Sequence, residues 1–408
     1  MLEIPEYISN KDNYIYVENV DNFVDNFLKS GVDLMALDTE TYYDDELARK
    51  GAVTKWIKGS PNNKPFGVSI FANVNGVRKG YWIDHDLSKL VPILEAQDIA
   101  KILHNSKYDI NMLANIGIDV KGMIWDTMCM IHLIDEDMVC NTPSGGTKKS
   151  KALKHLAYHF LQGDAHDLEK LVDKTRTALA KYNQVPKSQI SYKDVNDVAP
   201  IIMKDYAIAD TEFCFDLFPI FLENLQAQYL MDTYNDEIDS MHAIISMERR
   251  GVLINKEQLA EDKDKVEKAI AAITIDIDQL VKTPFNINSS DELVGAFQSM
   301  GVKWEWITDK GEYKTDEGTL KHVKSLYTGS NVAKLCDLVL EHREAAKILS
   351  TYIVGIEDYI QYDGKVHADF WLFPDDNSKG GTVTGRLSSS NPNLQNLPKK
   401  PVKIRGYE

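Results

Sequence analysis

The stretch Leu34-Met35-Ala36-Leu37-Asp38-Thr39-Glu40-Thr41 passes from four apolar residues into two carboxylates that are one residue apart. A short apolar run of this kind predicts a buried β-strand. Because side chains alternate along a strand, Asp38 and Glu40 are expected on one face of the sheet. Two unpaired acids are costly to bury, so we expect a cation between them, and hard divalent metals prefer such oxygen ligands. The alternative is a solvated strand end that carries two surface acids.

The composition limits the classes of protein that fit. The 408 residues, of which 43% are hydrophobic, predict two or three domains with sizeable cores. A net charge of −16 argues against a bulk electrostatic grip on nucleic acid, although residues 399–405 form a local basic tail. Neither a signal peptide nor an apolar run of membrane-spanning length is evident, so no membrane partner is expected. The four scattered cysteines fit a reducing cytosol, and a cytoplasmic location is expected.

Strand signals dominate the first hundred residues, and helical signals follow them. Asn75-Gly76 is a strong two-residue hairpin signal between two alternating segments. Ser106 is expected to cap a helix that carries Asp109. The predicted strands are residues 68–74, 77–83 and 99–104, and the predicted helices are residues 151–161 and 201–230. This order of elements predicts an α/β domain that ends near residue 225.

Beyond residue 230 the pattern is mostly helical. The predicted helices are residues 233–250, 256–281, 291–300 and 335–360. Gly251 is expected to end the first of them, and Ser289 or Ser290 to cap the third. Residues 304–315 predict a β-turn-β unit, and residues 366–373 alternate like a strand. A polar segment rich in glycine and serine follows, up to Pro398.

Two further pairs of polar residues are spaced four apart. Asn105 and Asp109 span a strand end and a helix start, whereas Tyr206 and Asp210 share one face of a helix. Each pair alone is ordinary, since an acid on a helix is usually solvated. Together with the strand acids they form an ordered set of Asp-x-Glu, Asn-x3-Asp and Tyr-x3-Asp, which is hard to attribute to chance.

This set resembles the three motifs of the 3′–5′ proofreading exonucleases that carry four acids and a tyrosine. The segment Leu103-His-Asn-Ser-Lys-Tyr-Asp109 is close to the usual second motif, and Trp125-Asp126-Thr127-Met128 is similar to a stretch that follows it. The resemblance implies a ribonuclease-H-like α/β domain that holds two divalent ions, Mg²⁺ or alternatively Mn²⁺. It also implies that the single-stranded 3′ end of DNA is the substrate.

The resemblance further implies a role for each motif residue. Asp38, Glu40 and Asp210 would hold the ion that activates water. Asp38 would bridge to the second ion, which Asp109 would support through water. Tyr206 and Glu40 would orient the attacking water. Two ions about 3.5–4 Å apart suit phosphodiester cleavage, and they allow an acidic protein to hold a phosphate backbone.

The C-terminal half carries a longer match. The segment Thr384-Gly-Arg-Leu-Ser-Ser-Ser-Asn-Pro-Asn-Leu-Gln-Asn-Leu-Pro398 is similar to the segment just before the palm of family A DNA polymerases, and residues 247–254 and 341–352 resemble parts of their thumb. The short polar donors of residues 384–398 suit hydrogen bonds to the phosphates and minor groove of a primer–template duplex. The expected nucleic-acid contacts are Asn105, Thr384, Arg386, Gln395 and Asn396. The alternative is a glycine- and serine-rich surface loop.

The chain departs from this family at its end. The palm aspartates and the fingers helix of a family A polymerase follow the Thr-Gly-Arg segment, whereas ten residues follow Pro398 here. We therefore expect no complete polymerase site in this polypeptide, and a second polypeptide that carries the rest of the palm and the fingers. A split gene, an intron, a truncated sequence and an engineered fragment all fit this end. The compact layout suggests a bacteriophage, and thus an infected bacterial cytoplasm.

These signals predict an α/β ribonuclease-H-like exonuclease domain at residues 1–228, a mainly α-helical thumb region at 229–362 and the start of a polymerase palm at 363–408. The predicted function is that of a proofreading 3′–5′ exonuclease in a family A DNA polymerase. Two other functions are open: a DNA-holding assembly platform of a split polymerase whose nuclease is idle, and an RNA-trimming exonuclease of related fold. The complete acid set argues against the first alternative, and the thumb-like half argues against the second.

Overall fold

The chain packs into two compact units. The computed structural model describes residues 2–42, 64–162, 166–361, 363–373, 386–398 and 404. One unit comprises residues 1–252 and 367–395, and the other comprises residues 253–366 and 396–408. The first is a mixed α/β unit and the second is mainly helical, in the order that the sequence predicts. Among the described residues, none of the helices has the length and apolar character needed to span a membrane.

A six-stranded sheet organises the α/β unit, with the strand order β1-β4-β3-β2-β5-β6. The strands are β1 (Tyr14–Tyr16), β2 (Leu34–Thr41), β3 (Pro65–Val74), β4 (Val77–Ile83), β5 (Ala100–Leu103) and β6 (Ile124–Asp126). Strands β2, β3 and β4 pair antiparallel, whereas β5 pairs parallel with both β2 and β6. The predicted Asn75-Gly76 hairpin is confirmed, and both residues have positive φ, 54° and 79°, as its turn type requires.

Nine helices and a small strand pair surround this sheet in the described part of the unit. The helices are α1 (Val20–Lys29), α2 (Val91–Leu94), α3 (Ser106–Asn115), α4 (Thr127–Ile134), α5 (Leu153–Leu161), α6 (Asp167–Asn183), α7 (Tyr192–Val198), α8 (Pro200–Ala227) and α9 (Met231–Arg250). The strand pair is β7 (Val139–Asn141) with β8 (Thr147–Lys149). Helix α9 belongs to this unit, although the sequence assigns residues 229–362 to the thumb region. The bounds at residues 228 and 362 stay a prediction.

Helix α8 packs across the sheet and carries two of the predicted site residues. It contacts β2, β3 and β4, and its residues Ala207 and Ile208 are completely buried. The close approach depends on Gly80 in β4, because a Cβ atom there would lie 2.1 Å from Cγ2 of Ile208. A small residue in the strand thus sets the distance between the sheet and the helix.

The second unit is built from long helices around its own core. They are α10 (Lys256–Val281), α11 (Ser290–Ser299), α12 (Glu317–Leu326), α13 (Asn331–Lys347) and α14 (Gly355–Glu357), with a π-helical segment at Ile348–Val354. Ile273, Phe297 and Leu335 are completely buried in its core. Ser289 caps α11 by accepting from the backbone N–H of Glu292, which decides between the two predicted caps.

Two predicted elements are wrong in detail. Residues 304–315 form no strand pair, only a single bridge between Ile307 and Tyr313. The strand predicted at residues 366–373 breaks into β10 (Lys365–Val366) and β11 (Asp369–Trp371), because His367 turns to donate from Nδ1 to the backbone oxygen of Glu248 at 2.6 Å. A further strand, β9, covers Val252–Leu253.

Part of the strand predicted at residues 366–373 is paired within this chain. Strand β11 pairs antiparallel with β12 (Ser388–Ser390), in the register Asp369 to Ser390 and Trp371 to Ser388. Trp371 also donates from Nε1 to Oγ of Ser390 at 2.9 Å. Within the polar segment, the described residues Ser388–Ser390 therefore form a strand.

We expect Gly80→Ala to lower the free energy of unfolding of the α/β unit by about 1–3 kcal/mol, because the added methyl group overpacks the contact with Ile208. The matched control is Gly295→Ala inside α11, where an added Cβ meets no atom within 4 Å. The control should gain up to about 1 kcal/mol from helix propensity. Chemical denaturation followed by circular dichroism measures both, and equal effects of the two substitutions would contradict the packing argument.

Candidate active site

The two strand acids lie at the end of β2, in the interior of the sheet. Glu40 is buried at 6% exposure and Asp38 is half-buried. Asp38 pairs in register with Ser69 and Glu40 with Gly67 on β3. Their separation by one residue places both on the same face of β2, as the sequence predicts.

Burial opposes the ionisation of both acids. It raises the pKa of Asp38 to about 6, although the charge of Lys154 acts in the other direction. Burial, and then the neighbouring charge of Asp38, raises the pKa of Glu40 well above its usual range. A site that must keep several carboxylates charged therefore needs additional positive charge.

Asp109 on α3 is tied directly to β2. Its Oδ1 accepts from the backbone N–H of Thr39 at 3.0 Å and from the Thr39 hydroxyl at 2.6 Å. The side chain is 2% exposed, and burial followed by the charge of Asp38 raises its pKa well above the usual range. Thr39, the residue between the two strand acids, thus brings the third acid to them.

The start of α3 is held by Asp126, at the end of β6. Asn105 precedes the helix with a positive φ of 64° and makes no side-chain cap. Asp126 accepts instead from the backbone N–H of Asn105 at 3.2 Å and of Ser106 at 2.7 Å, and from the Ser106 hydroxyl at 2.7 Å. The prediction that Ser106 caps α3 is therefore wrong, because Ser106 is the first helical residue and its hydroxyl donates to Asp126.

Tyr206 and Asp210 lie one turn apart on α8 and share Lys154 as a neighbour. Lys154 on α5 forms an ion pair with Asp210, and its Nζ lies 4.2 Å from the centre of the Tyr206 ring. All three side chains are buried, at 8% to 9% exposure. Burial lowers the pKa of Lys154 to about 8, whereas the charge of Glu169, followed by those of Asp38 and Glu40, raises it. Burial and Tyr192 raise the pKa of Tyr206, so its hydroxyl stays protonated at neutral pH.

Helix α8 is anchored next to these residues by Asp205. This carboxylate is completely buried and accepts from the hydroxyls of Tyr7 and Tyr16, each at 2.7 Å. The two tyrosines come from the N-terminal segment and from β1. Because Asp205 immediately precedes Tyr206, these bonds limit rotation and sliding of α8 at the site.

The predicted duplex contacts lie on other elements. Arg386 is exposed just before β12, and Gln395 is exposed in a 3₁₀ turn at Leu394–Asn396, where its Nε2 donates to the backbone oxygen of Leu387 at 3.0 Å. Asn396 is exposed and belongs to the helical unit. Thr384 lies outside the described residues. Among the predicted nucleic-acid contacts that the structure describes, Asn105 is the one that adjoins the acids, four residues before Asp109.

A buried ion pair connects α3 to α9, and both of its side chains bond to the backbone of β11. Lys107 on α3 donates to Oε1 of Glu248 at 2.7 Å and to the backbone oxygen of Phe370 at 2.7 Å. The same Glu248 oxygen accepts from the backbone N–H of Phe370 at 2.7 Å, and Lys107 Nζ lies 4.7 Å from the centre of the Trp371 ring. Strand β11 is thereby attached to α3 at Lys107, which precedes Asp109 by two residues in the sequence.

The donor set has the chemistry of a site for a hard divalent cation. It consists of carboxylates from three elements and a tyrosine, without a soft ligand. Within the described ranges, however, no group of three or more His, Cys, Asp or Glu side chains is arranged to hold a metal ion. Lys154 already occupies the carboxylate of Asp210. The residue types therefore suit a divalent metal ion, while the Asp210 carboxylate is paired with Lys154.

Sequence reasoning missed three supporting residues. Asp126 has a recognisable signal, since an aspartate directly before the apolar run of α4 is a typical N-cap. It does cap α4, accepting from the backbone N–H of Met128 and Cys129. Thr39 and Lys154 have no local signal, because their roles depend on side chains 70 and 56 positions away.

Comparison with known proteins finds relatives of both halves of the chain. Residues 18–226 match the family described as "3'-5' exonuclease", and residues 256–407 match "DNA polymerase family A". A DNA polymerase I of Streptococcus pneumoniae is 34% identical over 182 residues, which cover 44% of this chain and 19% of that protein. The DNA polymerase DpoZ of Salmonella phage PMBT28 is 26% identical over 388 residues, covering 91% of this chain and 56% of that protein.

A solved structure shows the same fold. The structure titled "POL domain of Pol1 from M. smegmatis complex with DNA primer-template and dNTP" matches with a TM-score of 0.65 and 18% identity, over 94% of this chain and 55% of that chain. The predicted fold class is thus confirmed. The chain spans between one fifth and somewhat more than half of the length of these proteins. Because the exonuclease match alone covers just over half of the sequence, the chain belongs to the 3′–5′ exonuclease family associated with family A DNA polymerases.

Proposed function

We propose that this chain removes nucleotides from the 3′ end of DNA by metal-dependent hydrolysis, as the proofreading part of a family A DNA polymerase. One observation carries the proposal: acids from three distant segments lie around one buried region beside Tyr206. Thr39 ties Asp109 to β2, and Lys154 lies next to both α8 residues and is influenced by the charges of the strand acids. Membership of the exonuclease family supports the same reading.

The reaction is the hydrolysis of the last phosphodiester bond. The oxygen of a water molecule attacks phosphorus, the bond to the 3′ oxygen of the preceding nucleotide breaks, and a proton passes to that oxygen. Divalent ions supply a nucleophile at neutral pH and stabilise the charge on the attacking and leaving oxygens. Their presence would also lower the cost of keeping the buried carboxylates ionised.

Each site residue has a separate task in this proposal. Asp38, Glu40 and Asp210 offer carboxylate oxygens as metal ligands, and Asp109 offers a more distant one that Thr39 orients. The Tyr206 hydroxyl, which stays protonated, holds the attacking water by a hydrogen bond together with Glu40. Mg²⁺ suits an acid-only donor set that is completed by substrate phosphate.

We expect Asp38→Asn to abolish cleavage of single-stranded DNA while it preserves the free energy of unfolding, because loss of one charge relieves repulsion among buried acids. Asp210→Ala should also abolish cleavage, but it should cost about 3 kcal/mol of stability, since it leaves Lys154 buried without a charged partner. The measurements are Mg²⁺-dependent cleavage and chemical denaturation in EDTA.

The control for this pair is Asp232→Asn, an exposed acid in the first turn of α9. The DNA carries a 5′ label and either a free or a blocked 3′ end, and an RNA of the same sequence is run beside it. Products should shorten from the free 3′ end, and the blocked strand should stay intact. Cleavage retained by both variants would refute the assignment, and a preference for RNA would favour the RNA-trimming alternative.

We expect Tyr206→Phe to slow cleavage about a hundredfold, the usual scale for removing one positioned hydrogen-bonding group from an active site. Its affinity for Mn²⁺ should stay within about twofold of the unmodified chain, because the hydroxyl orients water and is not a ligand. Isothermal titration calorimetry measures the affinity, with the exposed Tyr182→Phe as control. A loss of affinity as large as that of Asp38→Asn would show that the role is wrong.

We also propose that the segment around β12 binds a primer–template duplex. Arg386 is exposed before β12, and Asn396 is exposed after it, so both are accessible to phosphates. Gln395 donates one side-chain hydrogen bond to the backbone oxygen of Leu387. This bond keeps the turn compact, and the other polar atoms of the Gln395 side chain stay available. The match to DNA polymerase family A over residues 256–407 supports this proposal, and Thr384 belongs to the same segment.

Arg386→Ala should weaken binding to a primer–template duplex and reduce the slope of log affinity against log salt by about 0.9, the value for one phosphate contact. Fluorescence anisotropy with a labelled duplex at several salt concentrations measures both quantities. The control is Lys89→Ala, a surface residue whose Nζ pairs with Asp21 at 2.7 Å. An unchanged salt slope would exclude a phosphate contact by Arg386.

A second candidate function is a DNA-holding platform whose nuclease is idle. The ion pair between Lys154 and Asp210 favours it, because an ammonium group then occupies a carboxylate that a metal needs. Failure of the unmodified chain to cleave any 3′ end with Mg²⁺ or Mn²⁺ would support the platform. Two expectations stay predictions: a second polypeptide with the remaining palm and fingers, and a bacteriophage origin. Co-purification of this chain with a downstream gene product tests the second polypeptide.

A further inference from the structure

Lys154 holds a special position among the charges of the site. Within the described part of the chain, it is the one cation in ion-pair contact with any of the four acids, through Asp210. Its side chain reaches the acids from α5, a helix outside the three motifs. The tip is enclosed by aromatic rings, at 4.2 Å from the centre of Tyr206 and 5.7 Å from that of Phe213.

This environment holds the ammonium group in place. An ammonium over an aromatic face gains a further electrostatic attraction, which grows when water is excluded. At 9% exposure, Lys154 has given up most of its water in exchange for Asp210 and the two rings. Removing it would leave the Asp210 carboxylate buried beside other acids and without compensation.

We propose that Lys154 is a resident counter-ion, which a divalent metal has to displace from Asp210 in order to bind. The inference rests on the proposed function and specifies how this chain regulates its own metal site. Lys154 supports the folded site in the absence of metal and lowers its affinity for metal. It is a positioning residue, since it acts through Asp210 and not on the substrate.

The two effects have opposite signs and can be separated. Without Lys154 the site is more negative, so it attracts a cation more strongly and pays no cost for displacing an ammonium group. Without metal, the same variant has less compensation for its buried acids and is less stable. A ligand that binds only the folded state stabilises it in proportion to its affinity, so added metal should reverse the loss.

The experiment uses the full chain with Lys154→Met, with Lys154→Arg as the charge-preserving variant and the surface variant Lys89→Met as control. Isothermal titration calorimetry with Mn²⁺ measures affinity, and thermal unfolding is followed in EDTA and in saturating Mn²⁺. We expect Lys154→Met to bind Mn²⁺ on the order of tenfold more tightly, the usual scale of coupling between neighbouring groups. In EDTA, the Tm of Lys154→Met should be lower than that of the control. Its rise in Tm on addition of Mn²⁺ should be larger than that of the control. Lys154→Arg should resemble the unmodified chain.

The outcomes separate this inference from the proposed function. If the unmodified chain binds Mn²⁺ and Lys154→Met binds it equally or more weakly, the counter-ion role is refuted and the nuclease proposal stands. If only Lys154→Met binds Mn²⁺, the counter-ion role is supported and the native nuclease is idle. If neither binds Mn²⁺, both proposals fall. Should Lys154→Met not fold in EDTA, recovery on refolding with Mn²⁺ supports the role, and failure to recover overturns it.

Discussion

Burial of carboxylates at the end of a core strand is the constraint on which the rest of the α/β unit depends. A charged acid loses its hydration when it enters a protein interior, and acids in a cluster also repel one another. The raised pKa values of Asp38, Glu40 and Asp109 express both costs. A fold that keeps these residues in place must offset the costs of desolvation and repulsion. Hydrogen-bond donors and cations can do so, and so can packing that leaves the acids no other position.

The structure supplies each kind of compensation from a different element. Thr39 gives Asp109 two hydrogen bonds, and Lys154 gives Asp210 an opposite charge. Packing comes from α8. Gly80 allows this helix to lie close to the sheet, and Asp205 anchors it to the N-terminal tyrosines. Gly80, Lys154 and Asp205 lie outside the three motifs, and Thr39 is the unspecified residue of the first, yet the geometry of the motif residues follows from them.

The Lys107–Glu248 pair extends the same logic beyond the acid cluster. Both side chains are almost completely buried, and the pair is satisfied largely by the backbone of Phe370. A buried ion pair is weak evidence for stability, since desolvation offsets much of the attraction. It defines a specific arrangement more than it adds stability, because any other packing of β11 would remove the hydrogen bonds that Lys107 and Glu248 make to the backbone of Phe370. Residues 367–395 are therefore part of the α/β unit, although 240 residues separate them from the end of β6.

The amino-acid sequence by itself determined the local features of this protein. A short apolar run identified β2, and alternation identified β3 and β4. Asn75-Gly76 identified the hairpin, and the bounds of α10 followed from its period of apolar residues. The four acids and Tyr206 were recognisable because motif spacing is a property of single elements. In each case the physical cause acts within a few residues, through side-chain alternation, turn conformation or helical periodicity.

Only the tertiary structure decided which distant groups compensate the buried acids. Lys154 looks like a solvated charge on an amphipathic helix, and nothing near it in sequence shows that it pairs with Asp210. The strand predicted at residues 366–373 was divided by a contact between His367 and the backbone of Glu248, 119 positions away. Desolvation and pairing depend on three-dimensional neighbours, which local patterns do not contain, and these long-range contacts decided the state of the site.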